Sequence, residues 1–474
     1  MEMQEYNFIG RERELKRLDK MHSSQEQEVA LIYGRRRVGK SELIKYFIQQ
    51  HDEDAIYYEC KQTTELNNVD SLAEIVSEKM NLPPLGFTNV EQVLDFLFKQ
   101  ACTRKTILVL DEYPYLQKIV AGLDSILQAL VDKYKNQSQM KLILCGSFVD
   151  TMKKLLLRHN PLYGRISVVL NLKPMNYLES ARFYPSFSHD DKIRLYSVFG
   201  GIPYYNSLID ESLSVKENIM DLIALPGARL EDEVSMYLNT ELSKINSANE
   251  VFEALTRGFS RFSDVLSQSH LSSSSLLADV LKKLMLMDMV EKEAPINDAN
   301  NKRKTGYYIS DNMSMFYYRY VFRYASQRRI MNPEVFYQRY IENDFEQFYV
   351  PKRFEDICKQ FLILKNQQGE MEEPFEAIGK YYYDLPKEHK NGEFDVVTKD
   401  DRGYVFYEAK FREAPVSNAM VEKEIQQVNM TGLYCYRYGF FSKSGYDEDI
   451  SRSDVVKYTL DDLYNEKNSS HCRF

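Results

Sequence analysis

The run Gly34-Arg35-Arg36-Arg37-Val38-Gly39-Lys40-Ser41 matches the P-loop pattern G-x-x-x-x-G-K-[ST] in full. An apolar stretch, Ala30-Leu31-Ile32-Tyr33, precedes it, and Glu42-Leu43-Ile44-Lys45-Tyr46-Phe47 follows with helical spacing. The segment therefore reads as a buried strand, a phosphate-cradling loop and the first turns of a helix. The chemistry restricts the residue types. Gly34 and Gly39 let the backbone curl, so that N–H groups from Gly34 to Glu42 and the helix N-terminus face the β- and γ-phosphates. Lys40 supplies a mobile positive charge, and the Ser41 hydroxyl a magnesium ligand. On charge alone, Arg35, Arg36 and Arg37 are further phosphate ligands.

At 474 residues the chain exceeds what one hydrophobic core serves, so several domains are expected. A hydrophobic fraction of 44% and a charged fraction of 28% are those of a globular protein. No run of eighteen apolar residues occurs, and the first residues lack the charged and apolar regions of a secretory signal, so no membrane partner is expected. Six cysteines without a C-x-x-C pair argue against a zinc ribbon or a disulfide framework, and point to the cytoplasm. A net charge of −9 argues against indiscriminate coating of nucleic acid but leaves room for a local basic face.

A P-loop needs a second half to hydrolyse anything. Lys105-Thr-Ile-Leu-Val-Leu110 is a short apolar run suited to a central parallel strand, and it ends in Asp111-Glu112. In this Walker B arrangement Asp111 holds magnesium through water and Glu112 polarises the attacking water. A further strand, from Met140 to Gly146, places Ser147 at its carboxyl end, where open α/β sheets bind ligands. Ser147 is thus a candidate sensor of the γ-phosphate. A helix from Val149 to Arg158, the turn Asn160 to Arg165 and a strand from Ile166 to Leu172 follow. Arg165 is exposed by that turn, either as an arginine finger for a nucleotide in this or a neighbouring subunit or as the partner of a surface carboxylate.

Together, Phe8-Ile9-Gly10-Arg11-Glu12, the GRRRVGKS loop, LDEYPYL at 110–116, Gly146-Ser147 and PLYGR at 161–165 resemble the archaeal-type P-loop ATPases of the AAA+/STAND assemblage. The resemblance implies that Phe8, Ile9 and Gly10 lie against the adenine of ATP or ADP. It also implies that the three arginines are a family habit, one or two of them facing neighbouring acids or a partner surface. The core would span 1–173. Residues 174–245 read as helical, with a helix ending at Gly200-Gly201-Ile202-Pro203, a stop signal. By resemblance this is the small lid domain, although no sensor arginine stands at the expected place.

Residues 246–325 have a different grammar. Three short helices near Val251, Phe262 and Ser272, the last opening with serines, precede two strands, Met287 to Glu293 and Tyr307 to Ser310. This is a winged helix-turn-helix pattern whose third helix would enter the major groove of double-stranded DNA, with Lys302, Arg303 and Lys304 on the wing at phosphate or the minor groove. The alternative is a protein-contact module. The segment 326–350, with the aromatic run before it, reads as a structural helical connector.

The region 351–474 carries a second chemical hint. Glu355 lies on a helix, Asp395 on one strand, and Glu408 and Lys410 two apart on the next, hence on one face. Such a cluster suits phosphodiester hydrolysis, with magnesium on Asp395 and Glu408 and Lys410 at the nucleophilic water. It resembles the PD-(D/E)XK nuclease fold, which implies that Glu355 is the helix acid and that Gln426 or Gln427 assists. Phe394 stands where that family has proline. The expected fold is thus an AAA+-like α/β P-loop NTPase with a parallel sheet, a helical lid, a winged helix and an α/β nuclease-like domain. Two function classes follow. One is an ATP-hydrolysing, DNA-binding enzyme with Mg-dependent nuclease activity. The other is an ATP-driven assembly switch, a homo-oligomeric scaffold whose nuclease-like domain is inactive.

Overall fold

The computed structural model describes residues 8–51, 55–241, 245–301, 303–385, 390–432, 434–447 and 450–465. The chain divides into two compact units, 1–174 and 175–474.

In the first unit, strands β1 (Glu28–Tyr33), β2 (Ile56–Glu59), β3 (Thr106–Asp111), β4 (Met140–Gly146) and β5 (Val168–Asn171) form one sheet in the order β2-β3-β4-β1-β5. Every neighbouring pair is parallel. Such a sheet needs crossovers, and helices α1 (Glu12–Ser23), α2 (Lys40–His51), α3 (Glu65–Lys79), α4 (Val90–Gln100), α5 (Tyr113–Ile119), α6 (Leu123–Tyr134) and α7 (Val149–Lys154) surround it. All residues of β3 and β4 are buried, which explains their unbroken apolar runs. Because β4 lies between β1 and β3, the loop after β1, the acids ending β3 and Ser147 after β4 emerge side by side at the carboxyl edge of the sheet. The helix expected to reach Arg158 stops at Lys154, where the backbone tightens into turns such as Leu155 N–H to Met152 O.

The second unit begins with short helices over 177–241. Among them the helix His189–Phe199 ends at Gly200, which adopts φ 60°. Gly201 follows with no room for a side chain, since a Cβ there would lie 1.8 Å from the Met175 carbonyl oxygen. This helix and the preceding one, Tyr177–Ala181, are tied to later parts of the same unit. Arg194 pairs with Glu346 at 2.9 Å, Asn312 donates to the Tyr196 carbonyl at 2.7 Å, and Tyr177 donates to the Leu463 carbonyl at 2.8 Å.

Helices Ile245–Thr256, Phe262–Gln268 and Ser274–Leu286 lead to the antiparallel pair β6 (Val290–Glu293) and β7 (Gly306–Ile309). Ser273 caps the third helix by accepting the Leu276 N–H. The aromatic stretch that follows contains three π-helical segments, Tyr317–Phe322, Gln338–Glu342 and Phe345–Tyr349. Wider turns let adjacent rings pack: Phe316 meets Tyr320, Phe345 and Tyr349 at 4.9–6.2 Å between centroids, as an internal core rather than an exposed stacking surface.

The last sheet is mixed. Strands β8 (Ala377–Leu385), β9 (Lys390–Asp400) and β10 (Gly403–Lys410) are antiparallel, while β11 (Cys435–Ser442) and β12 (Val455–Thr459) run parallel to β10. Helices Val350–Gln367 and Asn418–Asn429 accompany it. No helix among the described residues is long and apolar enough to cross a membrane.

Candidate functional site

The P-loop backbone is shaped by close approach and by positive φ. A Cβ on Gly34 would lie 2.3 Å from the Leu172 carbonyl oxygen, and Gly39 adopts φ 92°. Arg37 is held in the left-handed region at φ 65° without the relief glycine enjoys. Lys40 is buried and donates to the carbonyls of Gly34 and Arg35, both at 3.0 Å, which holds its ammonium at the loop. Burial pushes the pKa of Lys40 below its usual value.

The Ser41 hydroxyl donates to Asp111 Oδ2 at 2.7 Å, so β3 and the P-loop are in direct contact. Tyr57, on β2, donates to the same oxygen. The Glu112 N–H donates to Asp111 Oδ1 at 2.9 Å. Burial alone would push the Asp111 carboxyl up, yet hydrogen bonds from Cys145, Tyr57, Ser41 and the Glu112 amide together hold it below the usual carboxylate range. A charged carboxylate beside a serine hydroxyl suits a hard cation, so Ser41 and Asp111 fit magnesium. Glu112 adopts φ 50°, a strained setting at the start of α5. Ser147 grips it twice, through its hydroxyl to Oε1 and its N–H to Oε2 at 3.2 Å.

The three arginines part company. Arg35 is buried; Arg36 donates to the Tyr115 hydroxyl at 3.3 Å and lies 5.9 Å from the Phe148 ring centroid; Arg37 is exposed. Glu42 turns its carboxylate to Lys45 at 3.3 Å. Val38 is fully buried. Phe8 stacks on Tyr46 of α2 with centroids 4.5 Å apart, beside Ile9 and buried Gly10. Sequence reasoning missed Arg11, whose buried guanidinium donates to the Val38 carbonyl at 3.1 Å and the Lys173 carbonyl at 2.7 Å. Arg165 is clasped by Asp132 through two bonds of 2.8 and 2.7 Å, the carboxylate pairing named among its alternatives.

The C-terminal acids are arranged differently from a metal cluster. The β9–β10 register ends at Tyr407↔Val396, next to Glu408 and Asp395 on their strands, and the Asp395 charge is felt at Glu408. Yet Lys352 donates to both Glu355 and Asp395, at 2.6 and 2.7 Å, and Lys380 lies 3.6 Å from the same Asp395 oxygen. Lys410 pairs with Glu408 and lies 3.6 Å from Glu424. Burial, then the Asp395 charge, pushes Glu355 up; the neighbouring Lys352 and Lys380 outweigh burial at Asp395 and hold it down. Burial also pushes Glu408 up. Among the described residues no three His, Cys, Asp or Glu side chains gather as a metal-binding group. As arranged, lysine ammoniums supply the charge that compensates Glu355, Asp395 and Glu408. Of the glutamines, Gln427 donates to the Tyr383 hydroxyl at 3.1 Å.

The wing also departs from expectation. Rather than standing out for DNA, its segment docks on β8, the edge strand of the five-stranded sheet among the described residues. The Ile296 N–H donates to the Lys380 carbonyl at 2.8 Å, and Asn297 brackets the backbone of Tyr382. Lys304 pairs with Asp298 at 3.1 Å and lies over the Tyr382 ring, Arg303 is exposed, and Lys302 lies outside the described residues.

A family model described as an ATPase domain predominantly from Archaea matches residues 8–208. A second, described as Archaea bacterial proteins of unknown function, matches residues 317–428. The uncharacterized protein MJECL04 of Methanocaldococcus jannaschii is 28% identical over 409 residues, covering 86% of this chain and 88% of that protein. Among solved structures, the Walker-type ATPase PABY2304 of Pyrococcus abyssi aligns over 67% of this chain and 97% of its own, with 18% identity and a TM-score of 0.49. The ORC2 protein of Aeropyrum pernix, in ADPNP-ADP complexes, aligns over 69% and 97%, with 14% identity and a TM-score of 0.48. Strand order, the Lys40–Ser41–Asp111–Glu112 arrangement and the match over 8–208 agree: the chain carries an archaeal-type ATPase domain, and is a P-loop ATPase joined to a separate mixed α/β domain.

Proposed function

We propose that this ATPase uses its nucleotide to govern a C-terminal unit that binds double-stranded DNA. The geometry of the first unit supports the nucleotide roles. Gly34 to Glu42 cradle the phosphates with backbone N–H groups, Phe8, Ile9 and Gly10 flank the base, and Lys40 holds the β- and γ-phosphates. Ser41 and Asp111 would hold magnesium, which neutralises phosphate charge when bound. Glu112 accepts a proton from the attacking water, and Ser147 orients that carboxylate and reports the γ-phosphate. Arg165 reaches a neighbouring subunit's nucleotide once Asp132 releases it.

The observation that carries DNA binding is the exposed face of the helix Ser274–Leu286. Ser272, Ser273, Ser274 and Ser275 lie exposed at its leading end, and Lys282 and Lys283 are exposed farther along. With the wing docked on β8, this face and Arg303 are the surface offered to phosphates. The domain division 1–173, 174–245, 246–325, 326–350 and 351–474 belongs to the same proposal. Fluorescence anisotropy with a labelled duplex tests it. The double variant Lys282→Ala/Lys283→Ala is expected to bind about tenfold more weakly and to lower the salt slope by about two. Unchanged affinity and slope would remove this helix from the DNA surface.

Cleavage of DNA by Asp395, Glu408 and Lys410 is the further part of the proposal, and it requires Lys352 to leave the acids. The Lys352 bridge favours a second reading, an assembly switch with an inactive nuclease-like domain. Loss of cutting in Asp395→Ala and Lys410→Ala would support the first; ATP-dependent self-association lost in Arg165→Ala, without cutting, would support the second.

A further inference from the structure

Asp111 is the most heavily hydrogen-bonded acid of the nucleotide site, and one of its donors comes from a strand outside the P-loop machinery. Tyr57 lies on β2, and its register with β3 pairs Tyr57 with Val109 and Glu59 with Asp111. A tyrosine is long enough to span those two residues along the strand, and its hydroxyl arrives at Asp111 Oδ2. That oxygen also accepts the Ser41 hydroxyl at 2.7 Å, while Oδ1 accepts the Glu112 N–H. The Ser41 hydroxyl is drawn two ways, because one that ligates a cation presents its lone pair there and turns its proton elsewhere. The Tyr57 phenol, although it also meets the Ser41 hydroxyl, is not assigned to the cation and can keep its proton on Asp111. Burial and the Asp111 charge push the pKa of Tyr57 far up, so it keeps its proton at any working pH.

We infer that Tyr57 is a positioning residue of the ATPase site, whose hydroxyl fixes the rotation of the Asp111 carboxylate and so sets the affinity for the divalent cation bound with nucleotide. This rests on the proposed role of Asp111 in holding magnesium. A carboxylate held by one oxygen at Tyr57 and the other at the Glu112 amide presents its remaining lone pairs in one direction. Without the phenol the carboxylate keeps Cys145, Ser41 and the Glu112 amide but loses one donor at Oδ2, and part of its preorganisation is lost. Tyr57 donates to Asp111 and not to the P-loop backbone proposed to cradle the phosphates, so binding of magnesium-free ATP is expected to be untouched.

The readout is the factor by which magnesium tightens binding of a fluorescent ATP analogue to the full chain, measured with magnesium and with EDTA. Tyr57→Phe is expected to shrink that factor about tenfold, the scale of a hydrogen bond to a charged group, and to leave the EDTA affinity unchanged. The half-saturating magnesium concentration for hydrolysis should rise in parallel, with kcat at saturating magnesium nearly preserved. Asp111→Asn should abolish the factor. An unchanged factor in Tyr57→Phe, or an increased one, overturns the inference if Asp111→Asn still abolishes it. An unchanged factor in Asp111→Asn overturns the role of Asp111 itself. A merely structural tyrosine would lower the melting temperature and both affinities together, which also overturns the inference.

Discussion

Glu112→Gln is expected to release phosphate from ATP about 10³-fold more slowly than the wild-type chain while binding nucleotide with affinity within about threefold. The amide is nearly isosteric and can still accept from the Ser147 N–H, so the strained backbone at φ 50° and the start of α5 are kept. What it cannot do is take a proton. Loss confined to kcat is the signature of a group acting in the transition state. Lys40→Ala should differ in kind, since it removes the charge at the loop and weakens binding as well. Single-turnover phosphate release combined with equilibrium titration of a fluorescent ATP analogue separates the two cases.

Arg11→Ala is expected to lower the stability of the first unit by about 3 kcal/mol, shifting its thermal transition by about 10 °C. Its guanidinium joins the carbonyl of Val38, inside the P-loop, to that of Lys173, beyond β5. Alanine leaves both acceptors without this donor and opens a void the size of a guanidinium. Arg11→Lys should recover part of the loss, because both bonds come from one guanidinium nitrogen, and an ammonium that reaches the same point can donate to both carbonyls. Because Val38 belongs to the nucleotide loop, a weaker grip on ATP should accompany the loss. Calorimetry with and without ATP checks both parts.

These two residues show what a sequence discloses and what it withholds. Phosphate binding permits few residue types, so Gly34, Gly39, Lys40 and Ser41 announce themselves, and the apolar run ending in Asp111-Glu112 follows from a strand buried on both faces. Arg11 and Tyr57 have no such local mark. Their partners lie 162 and 54 residues away, and only the strand order brings them together. Lys352 was closer to legible: three residues before Glu355 on one helix, an ion pair is the ordinary expectation. Its second bond, to Asp395, needed the packing of that helix on β9. The three short helices and the β6–β7 pair lie near where caps and turns put them, but the docking of the segment between those strands on β8 depends on an edge strand more than seventy residues downstream. The π-helical segments among the aromatics escaped because a 3.6-residue period and its wider relative are indistinguishable over five or six residues.

The proposed coupling of the ATPase core to DNA binding is tested most directly by phosphate release from the full chain as duplex DNA is titrated in. Turnover is expected to rise about fivefold or more at saturating DNA, with the rise lost in Lys282→Ala/Lys283→Ala and all turnover lost in Glu112→Gln. Turnover that is identical with and without duplex, across concentrations that saturate binding, would contradict the coupling.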